Sequence, residues 1–134
     1  MGQAVRKQYE DEAGSSDEAP DDAARSRHAE EVFELCDRMI DIAAALFGVS
    51  GRELRDPGRA RNPAARVRQI AMYVTHVTFG ITMKDVGIAF GRDRSTVMHA
   101  CHMIEDLRDD DEFDRIIVMM ERIAAAALEN RTYR

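Results

Sequence analysis

Tryptophan is absent from this 134-residue chain, and aromatics are scarce, with three Tyr and five Phe. A core built from it has to be mainly aliphatic. Only two cysteines occur, Cys36 and Cys101. They stand far apart, each within an apolar helical pattern, which argues for buried thiols and against a disulfide framework. No apolar run approaches the ~18–20 residues of a membrane span. The N-terminal stretch is acidic and polar and has no apolar signal core, so nothing in it directs export, and a cytoplasmic location is expected. No convincing strand and no internal repeat appear.

Hydrophobic residues nevertheless make up 45% of the chain, enough for the core of one domain. The net charge of −6 speaks against a nucleic-acid binder until its distribution is considered. Residues 1–31 carry nine acids against four bases, and residues 95–134 carry nine against five. Between them, residues 52–94 carry nine bases against four acids. A basic middle with acidic flanks can hold phosphates while the flanks limit indiscriminate binding.

Residues 1–27 are rich in Asp, Glu, Ala and Ser and poor in large apolar side chains, so a disordered acidic tail is expected there. A helical domain is expected over 28–130. Its first helix should run from about His28 to Phe47, on the recurrence of Val32, Leu35, Cys36, Met39, Ile42, Ala43 and Leu46. Gly48 ends it, and Ser50 can cap a short helix through Leu54. Asp56-Pro57-Gly58 is a turn signal and opens a basic loop holding Arg59 and Arg61. Asn62-Pro63 starts a third helix with a buried stripe of Val67, Ile70, Ala71, Val74 and Val77, stopped at Gly80. Thr82 and Asp85 form a capping-box pattern for a helix from Met83 to Phe90. The acidic run 109–112 suits the start of a last helix, with Phe113, Ile116, Ile117, Met120, Ile123, Ala124 and Ala127 as its apolar face.

The most informative stretch is residues 90–102, Phe-Gly-Arg-Asp-Arg-Ser-Thr-Val-Met-His-Ala-Cys-His. A glycine turn precedes Asp93, whose carboxylate is placed to cap a helix by accepting from the N–H of Ser95 or Thr96. Val97, Ala100, Cys101 and Ile104 make that helix's apolar back, and Ser95, Met98, His99 and His102 fall on the opposite side. Such a helix has the build of a recognition helix in a DNA major groove, with the helix-turn-helix at about 83–107. The pair His99 and His102 lacks a third ligand, since Cys101 points the other way, so no metal site is expected. Cys101 with His102 fails as a nucleophile–base pair for the same reason, and no constellation of acid, base and nucleophile suggests an enzyme. Met98, Met103, Met119 and Met120 are expected in packing rather than at a cofactor, and no cofactor is expected at all.

Residues 30–107 resemble the C-terminal DNA-binding domain of the bacterial replication initiator DnaA. The segments that carry the likeness are Arg66-Val-Arg-Gln-Ile-Ala-Met and Val86-Gly-Ile-Ala-Phe-Gly-Arg-Asp-Arg-Ser-Thr-Val-Met-His-Ala-Cys. The resemblance implies an all-α helical bundle of the Trp-repressor-like, DnaA C-terminal kind. It also implies double-stranded DNA as partner, with a helix-turn-helix in the major groove and a basic loop in the minor groove. By resemblance Arg68 and Gln69 match a DNA-contacting pair at the start of the long helix. Ser95 and Thr96 match a Thr-Thr pair of the recognition helix, and His99 matches a contacting His one turn on. Arg94 stands where that family usually has His, Val67 replaces a usual Pro, and one glycine, Gly91, replaces two. Ala60 interrupts the basic loop.

The expected DNA-contacting set is therefore Arg59, Arg61, Arg66, Arg68, Gln69, Lys84, Arg92, Arg94, Ser95, Thr96 and His99. None of the eight glycines begins the Gly-x-x-x-x-Gly-Lys-Ser/Thr loop of an ATPase, so no nucleotide is expected. Two readings stand: a sequence-specific regulator of transcription or modulator of replication initiation at DnaA-box-like sites, working with other replication or transcription proteins at the nucleoid, or an interaction module that kept the fold and lost DNA.

Overall fold

The computed structural model describes residues 22–55 and 62–128, all arranged around one helix. The elements are α1 (Asp22–Phe47), α2 (Gly51–Arg55), α3 (Asn62–Phe79), α4 (Met83–Phe90), α5 (Arg94–Leu107) and α6 (Asp111–Leu128). The protein is an all-α bundle, with no strand among the described residues. Helix α3 packs against each of the other five. That central place explains a difference from the sequence expectation, which gave α3 a single buried stripe. Met72, Tyr73, Thr75 and His76, off that stripe, are also fully buried, because neighbours cover the helix on every side.

Two polar side chains of this buried helix bond to nearby carbonyls. Thr75 Oγ1 donates to the Ala71 carbonyl at 2.6 Å. His76 Nδ1 lies 2.7 Å from the Ile81 carbonyl, and since a carbonyl only accepts, Nδ1 carries the proton. This bond closes the α3–α4 corner, where Gly80 takes φ +66°. The core around α3 is aliphatic and methionine-rich: Leu35, Met39, Met72, Met83, Ile104, Ile117 and Met120 are all fully buried. Unbranched Met fills irregular gaps where six helices of unequal length meet. Cys36 and Cys101 are buried free thiols, as expected. Met103 and Met119 are exposed, against the expectation of packing.

Two helix boundaries or faces differ from expectation. Helix α1 begins at Asp22 rather than His28, so residues 22–27 are helical and not part of a disordered tail. These six residues bury no large apolar group, which is why composition gave no sign of them. Helix α6 buries Ile117, Met120, Ala124 and Leu128, while Ile116 and Ala127 of the expected face are exposed. The capping signals performed better. Ser50 Oγ accepts from the Arg52 N–H at 3.1 Å, Thr82 Oγ1 from Asp85 N–H at 3.1 Å, and Asp110 Oδ2 from Phe113 N–H at 3.0 Å. Asp85 does not complete the box; its carboxylate meets His28 Nε2 at 3.2 Å and ties α1 to α4.

A polar cluster joins α3, α5 and α6. Tyr73 Oη donates to Glu105 Oε2 at 2.6 Å and accepts from Arg108 Nη1 at 3.0 Å. Arg108 Nε donates to Asp114 Oδ1 at 2.6 Å, and its Nη1 lies 3.4 Å from Glu121 Oε1. Burial and the Glu105 hydrogen bond push the Tyr73 phenol well above its usual pKa, so it stays protonated as the donor this cluster needs. The expected turn at 56–58, residues 1–21 of the expected tail and the end of the expected domain at 129–130 lie outside the described residues.

Candidate nucleic-acid interface

The turn between α4 and α5 depends on two glycines. Gly91 sits at φ +67°, the left-handed region that favours glycine, and its N–H donates to the Ile88 carbonyl at 3.3 Å. The next residue's N–H, from Arg92, reaches back to the Gly87 carbonyl at 2.8 Å. Gly87 is buried inside α4, and a Cβ there would stand 2.6 Å from the Arg92 carbonyl oxygen. The turn thus lies directly on α4, and only a residue without a side chain permits it. Periodicity alone does not single out Gly87, and the only sign it leaves in the sequence is a glycine inside a helix, where alanine would be the better helix former.

Helix α5 leaves this turn with one face sunk into the core through Val97, Ala100, Cys101 and Ile104. Arg94, Ser95, Thr96 and His99 are exposed, and Met98 and His102 are half-buried. Asp93 occupies the N-cap position, and its carbonyl accepts from Val97 N–H at 3.2 Å. Its side chain makes no capping hydrogen bond, contrary to expectation. In the preceding helix Lys84 is exposed in the first turn of α4. Arg92, half-buried in the turn, donates from Nη1 to the Gly91 carbonyl at 3.2 Å.

The start of α3 is arranged differently from the expectation for Arg68. Its side chain is only 7% exposed. Nε donates to the Leu54 carbonyl and Nη2 to the Glu53 carbonyl, both at 2.9 Å. Those carbonyls end the short helix α2 and have no intrahelical partner there. In this arrangement Arg68, expected as a DNA contact, clamps α2 to α3. Arg66 donates from Nη1 to Gln69 Oε1 at 3.1 Å, and both are half-buried on α3's first turns. Arg59 and Arg61 lie outside the described residues. Among those residues no cluster of His, Cys, Asp and Glu that could hold a metal is present. The Cys36 thiol is pushed up to about 12 by burial and by the nearby Asp85 carboxylate, and so is no nucleophile at neutral pH.

Two helices joined by a tight glycine turn, the second with a buried back and a polar, cationic leading end, define a helix-turn-helix protein. A family model described as the bacterial DnaA protein helix-turn-helix matches residues 36–104, and the chain belongs to that family. It is 36% identical over 90 residues to the chromosomal replication initiator protein DnaA of Lachnoclostridium phytofermentans, covering 65% of this chain and 20% of that protein. It is 41% identical over 71 residues to the protein of the same name from Acinetobacter baumannii, covering 52% of this chain and 15% of that one. The matches thus span a fifth or less of those relatives. A solved structure described as a DNA replication initiation factor shares the fold, with a TM-score of 0.69 at 20% identity, over 77% of this chain and 32% of that one.

Proposed function

We propose that this chain binds double-stranded DNA by sequence, with α5 in the major groove, at sites of the DnaA-box kind. The observation that carries this reading is the leading end of α5. Arg94, Ser95, Thr96 and His99 are exposed there, on a helix whose other face is fixed in the core, inside a member of the DnaA helix-turn-helix family. Residues at that place in a helix-turn-helix reach base edges. Lys84, Arg92 and the loop arginines Arg59 and Arg61 supply phosphate contacts, which set affinity and register. Arg66, Arg68 and Gln69 complete the contact set at the start of α3, with Arg68 also holding α2 in place. The relatives are named chromosomal replication initiators, which favours a role in modulating replication initiation.

Selection of duplexes from a random pool by the purified full chain tests this. One enriched sequence is expected, bound with a slope of log affinity against log salt of about −3.5 for four phosphate contacts. No enrichment and a slope near zero would overturn the reading.

A further inference from the structure

Among the described residues, the two most exposed large apolar side chains face the same groove. Phe33 on α1 is 56% exposed and Ile88 on α4 is 63% exposed. Between them lies a cavity of about 290 Å³ with Ile40 and Phe90 among its lining residues and Asp37 and Arg55 at its rim. Nothing in the fold needs Ile88 to be apolar, since α4 packs through Met83, Val86, Gly87 and Phe90. Two bulky apolar groups held apart over a concavity mark a docking surface.

The flank of the groove is acidic. Glu30, Glu34, Asp37 and Asp41 share a face of α1 with Phe33 at helical spacing and are exposed. Arg38 beside Glu34 and Arg55 on Asp37 and Asp41 offset only part of this charge. An occupant with bulky apolar anchors and adjacent cations fits such a site.

We propose that the occupant is the chain's own N-terminal segment, with Val5 and Tyr9 in the groove and Arg6 and Lys7 on the acidic flank. Met1, Val5 and Tyr9 are the only large apolar residues before Asp22, and Arg6 and Lys7 are the only cations there. They fall together in Val5-Arg6-Lys7-Gln8-Tyr9. The reach is sufficient. The twelve residues 10–21 can span up to roughly 40 Å at ~3.3 Å each. Phe33 lies eleven residues into α1, roughly 17 Å along the helix at 1.5 Å per residue. A short tether raises the segment's effective concentration to roughly the millimolar range, so a modest groove is enough. Because the groove adjoins Gly91, a docked segment sits beside the turn that leads into α5.

Amide NMR spectra of the isotope-labelled full chain test this. The double variants Val5→Ser with Tyr9→Ser, and Arg6→Glu with Lys7→Glu, are each compared with the wild type. Both should move the cross-peaks of Ile88, Ala89 and Gly91, with helical circular dichroism unchanged because the substitutions lie outside α1–α6. Reciprocally, Ile88→Glu should move the Tyr9 amide. Groove amides that stay in place in both double variants would overturn the proposal. Shifts that disappear on dilution would also overturn it, by assigning the groove to a second copy.

Discussion

Arg68 shows why a residue's neighbours in sequence do not decide its role. Beside Arg66 and Gln69 at the start of a helix it looks like a surface cation, and the helix dipole gives a positive charge there no structural reason. The reason lies in α2, whose last carbonyls need donors. No spacing rule connects residues 54 and 68, so this contact was not legible. Arg68→Ala should destabilise the fold by about 1–3 kcal/mol by leaving buried carbonyls without partners, measured by denaturant unfolding. An unchanged midpoint, with DNA affinity lost, would show that Arg68 serves DNA contact and not the clamp. The side chain of Asp93 was misread for a related cause: an N-cap position was legible, but which partner its carboxylate takes was not.

Arg94 is the opposite case, exposed as its place in the pattern indicated. Arg bonds the O6 and N7 acceptors of guanine together, whereas His makes one bond. Arg94→His should therefore lower preference for guanine at one position and weaken the original site by about 1–3 kcal/mol, with thermal stability nearly unchanged. Comparing the sequences selected by the two proteins checks this; identical sites with equal affinity would limit Arg94 to phosphate.

At the scale of elements, the strongly periodic helices were legible, and so were the glycine and Ser/Thr caps that bound them. What escaped was anything set by packing between helices. Helix α3 is buried all round because five helices surround it, and periodicity within one segment registers a face, not enclosure. The face of α6 shifted because its sequence is apolar around much more than one stripe, and contact with α3 and α1 chose among the options. Gly87 belongs here too, since its value lies in the distance between α4 and the turn. Gly87→Ala should cost about 1–3 kcal/mol by forcing the Arg92 carbonyl away from a new Cβ, despite alanine's better helix propensity. It should also weaken specific DNA binding by more than non-specific binding, because α5 is re-aimed. A stabilised Gly87→Ala protein would show that the turn has room to relax.

For the whole molecule, the charge map was legible from sequence and the all-α bundle followed from its periodicities. The coupling of the bundle to pH was not, because it rests on burial. The Cys36 thiol is held near 12 in the fold, above its ordinary 9.0, and the Tyr73 phenol is raised from 10.0. Below pH 9 both states keep these protons. Above it the unfolded chain releases them first, so stability falls as pH rises toward the folded values. Each group contributes on the order of 1.4 kcal/mol per pH unit across its window. Denaturant midpoints measured from pH 8 to 11 should fall in the wild type and fall less in Cys36→Ala. A flat wild-type profile would contradict the burial of the thiol proton.

The cluster around Arg108 has one further consequence. It fastens the far end of α5 to α3 and α6, while the Gly87 turn fastens the near end to α4. A helix held at both ends has no independent opening motion, so its backbone amides exchange with solvent only when the bundle comes apart. In deuterium-exchange measurements the buried-face amides of α5, at Val97, Ala100, Cys101 and Ile104, should share one opening free energy with the core of α3. The surface proposed to meet DNA is then as long-lived as the core itself, and heat should abolish binding in a single step with the loss of the fold.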